Sequence, residues 1–279
     1  MTTDTRDTKN RFGAVAEALK GLYERRWLAA YFVQRQLAQT TKGSFLGFAW
    51  LFLTPLFMII LYTLVFSEII GLRFRETDSA TNFGLYLYCG LIPFLALSDS
   101  LNKSVASIRG NSTLVQKVVF PLEILPMSTA VTAFVSQFFG LAGLIVLVAA
   151  LERELHWTMG LLPLIMIPQL LFLLGLAYLV ALIGTYLPDV KETLSAVVRA
   201  MFFITPIIWP EELARDRGLG FLIDYNPLAF IVGAYRDFVL EGAIPDASSL
   251  LNFTLLSGAL LVLGFLLFVW RKREFADLV

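Results

Sequence analysis

Ionisable side chains beside long apolar runs are where this chain could do chemistry, and few are available. Lys103 and Arg199 each stand near the end of an apolar block. From there a long cationic side chain can snorkel to a membrane surface, pair with a neighbouring helix, or receive an anionic group such as a phosphate. A charge held at mid-bilayer costs roughly 2.5–3.5 kcal/mol on insertion scales, so such positions are seldom idle. Both residues are therefore candidate phosphate contacts, with interface anchoring as the alternative. His156 is the only histidine and lies near Glu152 and Glu154 in a short polar connection, where it reads as a solvated loop residue rather than a base. The acidic run from Glu211 to Asp216 is interleaved with Arg215 and lacks a histidine. No Cys/His spacing suits a metal, no nucleophile stands with a base, and no Gly-x-x-x-x-Gly-Lys-Ser/Thr loop is present to cradle phosphates. The expectation is a chain that is not an enzyme, binds no cofactor or metal, and does not hydrolyse ATP by itself.

The most informative stretch is 108–126. It sits between two apolar blocks, yet it carries Arg109, Lys117 and Glu123 among hydrophobic residues. Leu114, Val115, Val118 and Val119 can form one short helical face, and Pro121 and Pro126 are expected to stop any helix from running on. The stretch is too polar to span a bilayer and too apolar for an idle loop. It reads as a short helix at the membrane surface that docks into a partner.

The elements around it are membrane spans. The 279 residues are 57% hydrophobic and only 16% charged, against roughly 25% charged in a soluble domain, and mean hydropathy is +0.73. Apolar blocks at 45–67, 83–107, 127–150, 161–186, 193–210 and 248–270 have about the length that crosses ~30 Å of hydrocarbon as a helix. This predicts an all-α integral membrane protein with six transmembrane helices. With the N-terminus inside, the inner segments carry sixteen basic residues and the outer ones six, so the positive-inside bias puts both termini and the 108–126 segment in the cytoplasm. The polar first 44 residues show no cleavable leader. They form instead a tail and an amphipathic helix, with Phe12, Ala16, Leu19, Tyr23, Trp27 and Ala30 on one face. Tyr23, Arg26 and Trp27 belong at its interface; the helix either lies on lipid alone or also meets a cytoplasmic partner. Residues 271–279 form a C-terminal tail headed by Arg271-Lys272-Arg273. The lone Cys89 makes no internal disulfide.

Outside, 211–247 holds two apolar pieces too short to span, separated by Asn226-Pro227. They read as a re-entrant helix pair, with a surface amphipathic loop as the alternative. Pro55, Pro93, Pro163, Pro168 and Pro206 invite kinks, and Gly140, Gly143, Gly258 and Gly264 permit close helix packing. Aromatics make up 14% of the chain. Trp50, Phe57, Tyr62, Phe94, Phe202 and Trp209 are candidate channel residues that would offer flat apolar faces to sugars, the alternative being a lipid-facing belt.

Five motifs then occur in order: Leu46-Gly47 with Trp50 and Pro55; Gly90-Leu91-Ile92-Pro93; Asn111…Leu114-Val115-Gln116-Lys117-Val118…Phe120-Pro121-Leu122-Glu123…Leu125-Pro126; Pro206…Trp209-Pro210; and Asn226-Pro227-Leu228…Tyr235-Arg236. Together they resemble the permease subunits of ABC-2-type polysaccharide exporters. The resemblance implies a homodimer of six-span subunits (45–270) in a bacterial inner membrane, paired with two copies of a separate ATPase that holds ATP and Mg. The substrate would be a lipid-linked polysaccharide of O-antigen or capsular type, its carrier phosphates meeting Lys103 and Arg199. The ATPase-coupling residues would be Asn111, Leu114, Val115, Lys117, Phe120, Pro121 and Glu123. The external gate would be Asn226, Pro227, Tyr235 and Arg236. Alternatives are a teichoic-acid or small-molecule exporter of the same architecture, or a membrane-embedded transferase acting on lipid-linked sugars. Nothing points to nucleic acid.

Overall fold

In a bilayer the backbone must satisfy its own hydrogen bonds, so apolar runs without a closed barrel become helices. The computed structural model describes residues 4–41, 49–72, 80–117, 120–151 and 155–279, and every regular element among them is helical. In order these are α1 (Asp4–Glu24), α2 (Arg26–Thr41), α3 (Trp50–Tyr62, prolonged by a π-helical stretch Thr63–Ile69), α4 (Ala80–Ser104), α5 (Ser112–Lys117), α6 (Ile124–Leu151), α7 (Pro163–Tyr186), α8 (Val190–Ile204), α9 (Glu211–Asp216), α10 (Phe221–Asp224), α11 (Pro227–Arg236), α12 (Ala247–Arg271) and α13 (Phe275–Leu278). Leu46, Gly47, Val118, Val119, Glu152, Glu154 and the side chains of Phe12 and Lys117 lie outside the described residues.

Four helices are long and apolar enough to cross a membrane: Asn82–Ser104, Ile124–Leu151, Trp157–Tyr186 and Ala247–Leu278. The expected first and fifth spans are shorter. The first has thirteen α-helical and seven π-helical residues. The fifth ends at Ile204 rather than 210, after fifteen residues, about 22 Å of helix. Beyond it Thr205, Ile207 and Ile208 continue as buried non-helical chain. α4 is the central column: 83% of its apolar window is buried, against 28% for α6.

Among the described residues two large apolar cores divide the bundle, with a small third cluster of Ala214, Ile223 and Ala229 beside them. The larger joins α4, α6, α7, α8 and α11. The smaller lies at the end of the bundle that carries both chain termini. There Ala18, Phe32, Ile108, Val115, Ile124, Tyr178, Phe268 and Phe275 bring α1, α2, the 108–126 segment, α7, α12 and α13 together. The N-terminal region is two helices interrupted at Arg25. The face turned to the bundle is Ala14, Val15, Ala18 and Leu22, whereas Leu19, Tyr23 and Trp27 point away and are more than half exposed. Small residues allow α1 to lie close to α12, and the aromatic face is left for lipid or a partner. Pro126 likewise does not stop a helix. It sits in the first turn of α6, where a missing N–H breaks no intrahelical bond.

The tightest crossing is α7 with α12. A Cβ on Gly175 would fall 2.7 Å from the Leu260 backbone carbon, and one on Gly264 would strike the Gly175 carbonyl oxygen. Gly258, one and a half turns away, has open space around it. Gly264→Ala is therefore expected to lower the unfolding free energy in detergent by about 1–3 kcal/mol, while Gly258→Ala leaves it unchanged; thermal melts of the purified variants check this.

Candidate functional site

A cleft of about 510 Å³ opens between α3, α4 and α6, with Trp50, Thr54, Asp99, Asn102, Lys103 and Gln137 among its walls. A second of about 590 Å³ lies nearer the chain termini, where Gln36, Gln39, Asn111 and Lys191 line it. Asn102 and Lys103 belong to both walls, so the two clefts adjoin there, and their polar side chains form a track along walls that are otherwise mostly apolar. Lys103 pairs with Asp99 at 2.7 Å across one helical turn, which leaves the track one cation with its counter-charge rather than a bare positive site. Asn102 accepts a hydrogen bond at 2.8 Å from Ser195 Oγ, tying α8 to α4 at the same level. Arg199 is not brought into this arrangement. It lies on the exposed face of α8 and lines neither cleft.

At its inner end the track meets an amide network. Gln137 Nε2 and Gln169 Nε2 donate to each other's Oε1 at 3.4 and 3.0 Å, Gln137 Nε2 also reaches Tyr235 Oη at 3.3 Å, and Tyr235 donates to Gln169 Oε1 at 2.6 Å. All three side chains are buried. A broken hydrogen bond here has no water to replace it, so the network anchors α11 to α6 and α7. Tyr235 is thus held in the interior and does not face an outer opening. Arg236 is also buried. It donates to the Tyr86 carbonyl at 3.3 Å and the Ile207 carbonyl at 3.1 Å, and its guanidinium lies 5.8 Å over the Tyr86 ring. Tyr86 in turn donates to Glu241 at 2.8 Å. Around Arg236, burial raises the Glu211 carboxyl above its ordinary value and pushes Asp237 up to about 6, with neighbouring acidic groups adding to the latter. Asn226 caps α11 by accepting from the Leu228 N–H at 3.0 Å and donates to Thr205 Oγ1 at 3.0 Å, while Pro227 takes the first helical position. These four residues fasten α11 in place. His156 packs against Gly242, whose φ of +64° no side chain would favour and whose missing Cβ makes room for the imidazole.

The aromatics separate into two groups. Tyr62, Phe94 and Phe202 are stacked together, with centroids 5.6 and 5.2 Å from Phe202, and they fill core space within the subunit. Trp209 donates to the Phe203 carbonyl at 2.9 Å. Phe57 faces outward on α3, and Trp50 alone of the six lines the cleft.

The 108–126 segment is a braced corner. Arg109 donates to the Gly184 and Thr185 carbonyls at 2.7–3.2 Å, capping the end of α7. Asn111 donates to the Ser107 carbonyl at 2.8 Å. Val115 is buried, Leu114 half-buried, and Phe120 packs on Phe32 at 5.4 Å. Pro121 is half-buried, and Lys117 closes α5. Glu123 is fully buried and paired with Lys272, so it does not present its charge to a partner; the expected docking role for this side chain is corrected to an internal one. At the opposite chain end Tyr23 and Trp27 remain exposed, with Arg26 5.0 Å over the Tyr23 ring.

The family model for ABC-2 type transporters matches residues 29–240. The chain belongs to the ABC-2 type transporter family. Among similar proteins, an O-antigen export system permease protein of Myxococcus xanthus is 30% identical over 260 residues, 93% of this chain and 98% of that protein. A counterpart of the same description in Klebsiella pneumoniae is 26% identical, covering 90% and 95%. A polysialic acid transport protein of Escherichia coli is 26% identical, covering 86% and 91%.

In this ABC-2 protein no sequence motif marks the track: Gln36, Asn102, Gln137 and Lys191 are isolated polar residues brought to the clefts by the fold, with Gln169 paired behind Gln137. The available signal was that Gln137 and Gln169 are uncharged amides inside strongly apolar runs, where a polar group must find a buried partner. Tyr235→Phe is expected to remove the hub of that network and destabilise the protein by about 1–3 kcal/mol, whereas Tyr225→Phe, on a residue 87% exposed, has no effect; denaturation in detergent micelles distinguishes the two.

Proposed function

We propose that this chain is the permease subunit of an ATP-driven exporter that carries a lipid-linked polysaccharide of O-antigen or capsular type across a bacterial inner membrane. The observation that carries this reading is near-full-length similarity to O-antigen and polysialic acid transport proteins, in a chain with four long apolar helices, two of which, α4 and α6, line the track together with α3. Uncharged amides and hydroxyls along that track suit sugar hydroxyl groups, which exchange hydrogen bonds without demanding one fixed geometry. Two copies form the pore, and two ATPase subunits dock on the cytoplasmic side, where the sixteen-to-six distribution of basic residues puts both termini.

In this reading six segments span. Helix Trp50–Ile69 at 1.5 Å per residue approaches ~30 Å, and α8 completes its crossing with the buried chain that follows it, irregular backbone being tolerated at membrane depth when protein encloses it. α10 and α11 form the external re-entrant pair, supported by the burial of Leu228, Ile231, Val232 and Tyr235 on a ten-residue helix too short to cross. Lys103, with Lys191 below it, receives the carrier's phosphates at the inner mouth. Arg199 anchors α8 at the interface or serves the second subunit.

The test is movement of labelled lipid-linked glycan in vesicles that hold this chain with its ATPase. Transport is expected only with ATP and both proteins; movement without any ATPase would overturn the reading. In the same assay Lys103→Ala is expected to reduce export at least about tenfold, as loss of a charged contact worth ~1.4 kcal/mol or more, and Arg199→Ala to leave it within about twofold at matched protein level.

A further inference from the structure

On the reading of this chain as a permease driven through residues 108–126, we infer that the C-terminal segment Lys272–Val279 is part of the coupling element, and that Lys272 is a positioning residue which welds the ATPase-driven corner to α12.

The corner needs a brace from outside itself. α5 has six residues, and an isolated helix of that length has no stability of its own. A force applied to it would unravel the helix before moving a span unless other elements hold it. Glu123 lies immediately before the first residue of α6, and its side chain is completely buried. A carboxylate in such a place is uncommon unless it is paired. Its partner Lys272 is the residue directly after α12, 149 positions later in the chain. The Glu123 backbone carbonyl also accepts a hydrogen bond at 3.3 Å from Tyr178 of α7. One residue therefore joins the start of α6 and the end of α12 to the body of α7.

A second set of contacts lies alongside. Gln116 of α5 donates to the Val279 carbonyl. Phe275 of α13 is fully buried, 5.2 Å from the Phe268 ring and 6.3 Å from that of Tyr186. Glu274 accepts from Tyr186 and from Arg271, the latter at 3.2 Å. Phe275 and the Tyr186–Glu274 contact thus seat the tail on α7 and α12, and the Gln116–Val279 contact ties its end to α5. Thr113 and Gln116 on α5 and Arg273, Ala276 and Asp277 on the tail remain exposed, so the surface offered to a cytoplasmic ATPase is composite. A push on α5 reaches α6 through the chain, and reaches α12 through the Lys272–Glu123 pair. Because α12 and α7 are locked at Gly175 and Gly264, these spans move together.

Glu123 Oε2 has no hydrogen-bond partner among the described residues, so removal of the ammonium leaves a buried charge that must drag the corner toward water. The consequence is lost transmission rather than lost docking, since the exposed residues of α5 are untouched.

The experiment uses the full chain with its ATPase in vesicles and reads glycan moved per ATP hydrolysed. Wild-type transport is measured first; its absence overturns the exporter reading, and this inference with it. Given wild-type transport, Lys272→Ala is expected to cut glycan moved per ATP roughly tenfold while the ATPase still co-purifies and hydrolyses ATP, and Lys272→Arg to restore the ratio to within about twofold. An unchanged ratio in Lys272→Ala, or an equal loss in Lys272→Arg, overturns the weld. A second measurement does not depend on that variant folding. In a Cys89→Ser background, Gln116→Cys and Val279→Cys are joined by a short bismaleimide. If α5 and the tail move as one, the bridged protein keeps its transport; loss of transport on bridging shows that they separate during the cycle and refutes the proposal.

Discussion

A polar group inside a bilayer has no water to fall back on, and the arrangement of this protein depends on that constraint. Several interior polar side chains have protein partners on helices distant in sequence, although the hydroxyls of Ser67, Ser100 and Thr132 have none among the described residues. Gln137, Gln169 and Tyr235 join α6, α7 and α11. Arg236 joins α11 to α4 and to the chain after α8. Glu123 and Lys272 join the start of α6 to the end of α12. Apolar packing brings the helices together without specifying their order, since lipid tails are as apolar as leucine. The polar pairs, together with the glycine contact of α7 and α12, select one arrangement.

The two cores give this selection a functional division. The larger encloses α11 among α4, α6 and α7 and borders the track. The smaller gathers α1, α2, the 108–126 segment and the C-terminal tail at the end of the bundle that carries both chain termini, and holds them as one plate rather than as separate loops. A transporter worked by a separate motor benefits from that separation. The plate must stay intact under load, and the track must present weak, exchangeable hydrogen bonds so that a long polar chain passes without being trapped. The Lys103–Asp99 pair fits the same logic: a cation with its counter-charge beside it attracts a phosphate less tenaciously than a bare one does.

Much of the architecture was legible in the residues. The blocks at 83–107, 127–150, 161–186 and 248–270 correspond within a few positions to α4, α6, the helix ending at Tyr186, and α12, because a hydrocarbon thickness dictates span length directly. The short helix at 112–117 and the Asn226-Pro227 start of α11 were equally readable, since cap and breaker residues act locally. The face that packs was not. Periodicity in the N-terminal region picked out Leu19, Tyr23 and Trp27 as an interface stripe, and these stay exposed, but nothing in it marked the smaller Ala14, Ala18 and Leu22 stripe that meets the bundle. In a membrane protein the most hydrophobic face belongs to lipid as readily as to the core, so hydrophobicity alone does not reveal the inside.

The sequence by itself determined the medium, the helical class, the four long spans and the family, because these follow from composition, run length and local motifs that are complete within short windows. Only the tertiary structure decided the rest. It turned Tyr235 and Arg236 inward as fasteners, stacked Tyr62, Phe94 and Phe202 as core, left Arg199 off the track, and gave Glu123 a partner 149 positions away. Each of these depends on which residues meet across the bundle. No window of sequence contains that information, because a buried polar group is defined by its partner and the partner is supplied by the fold.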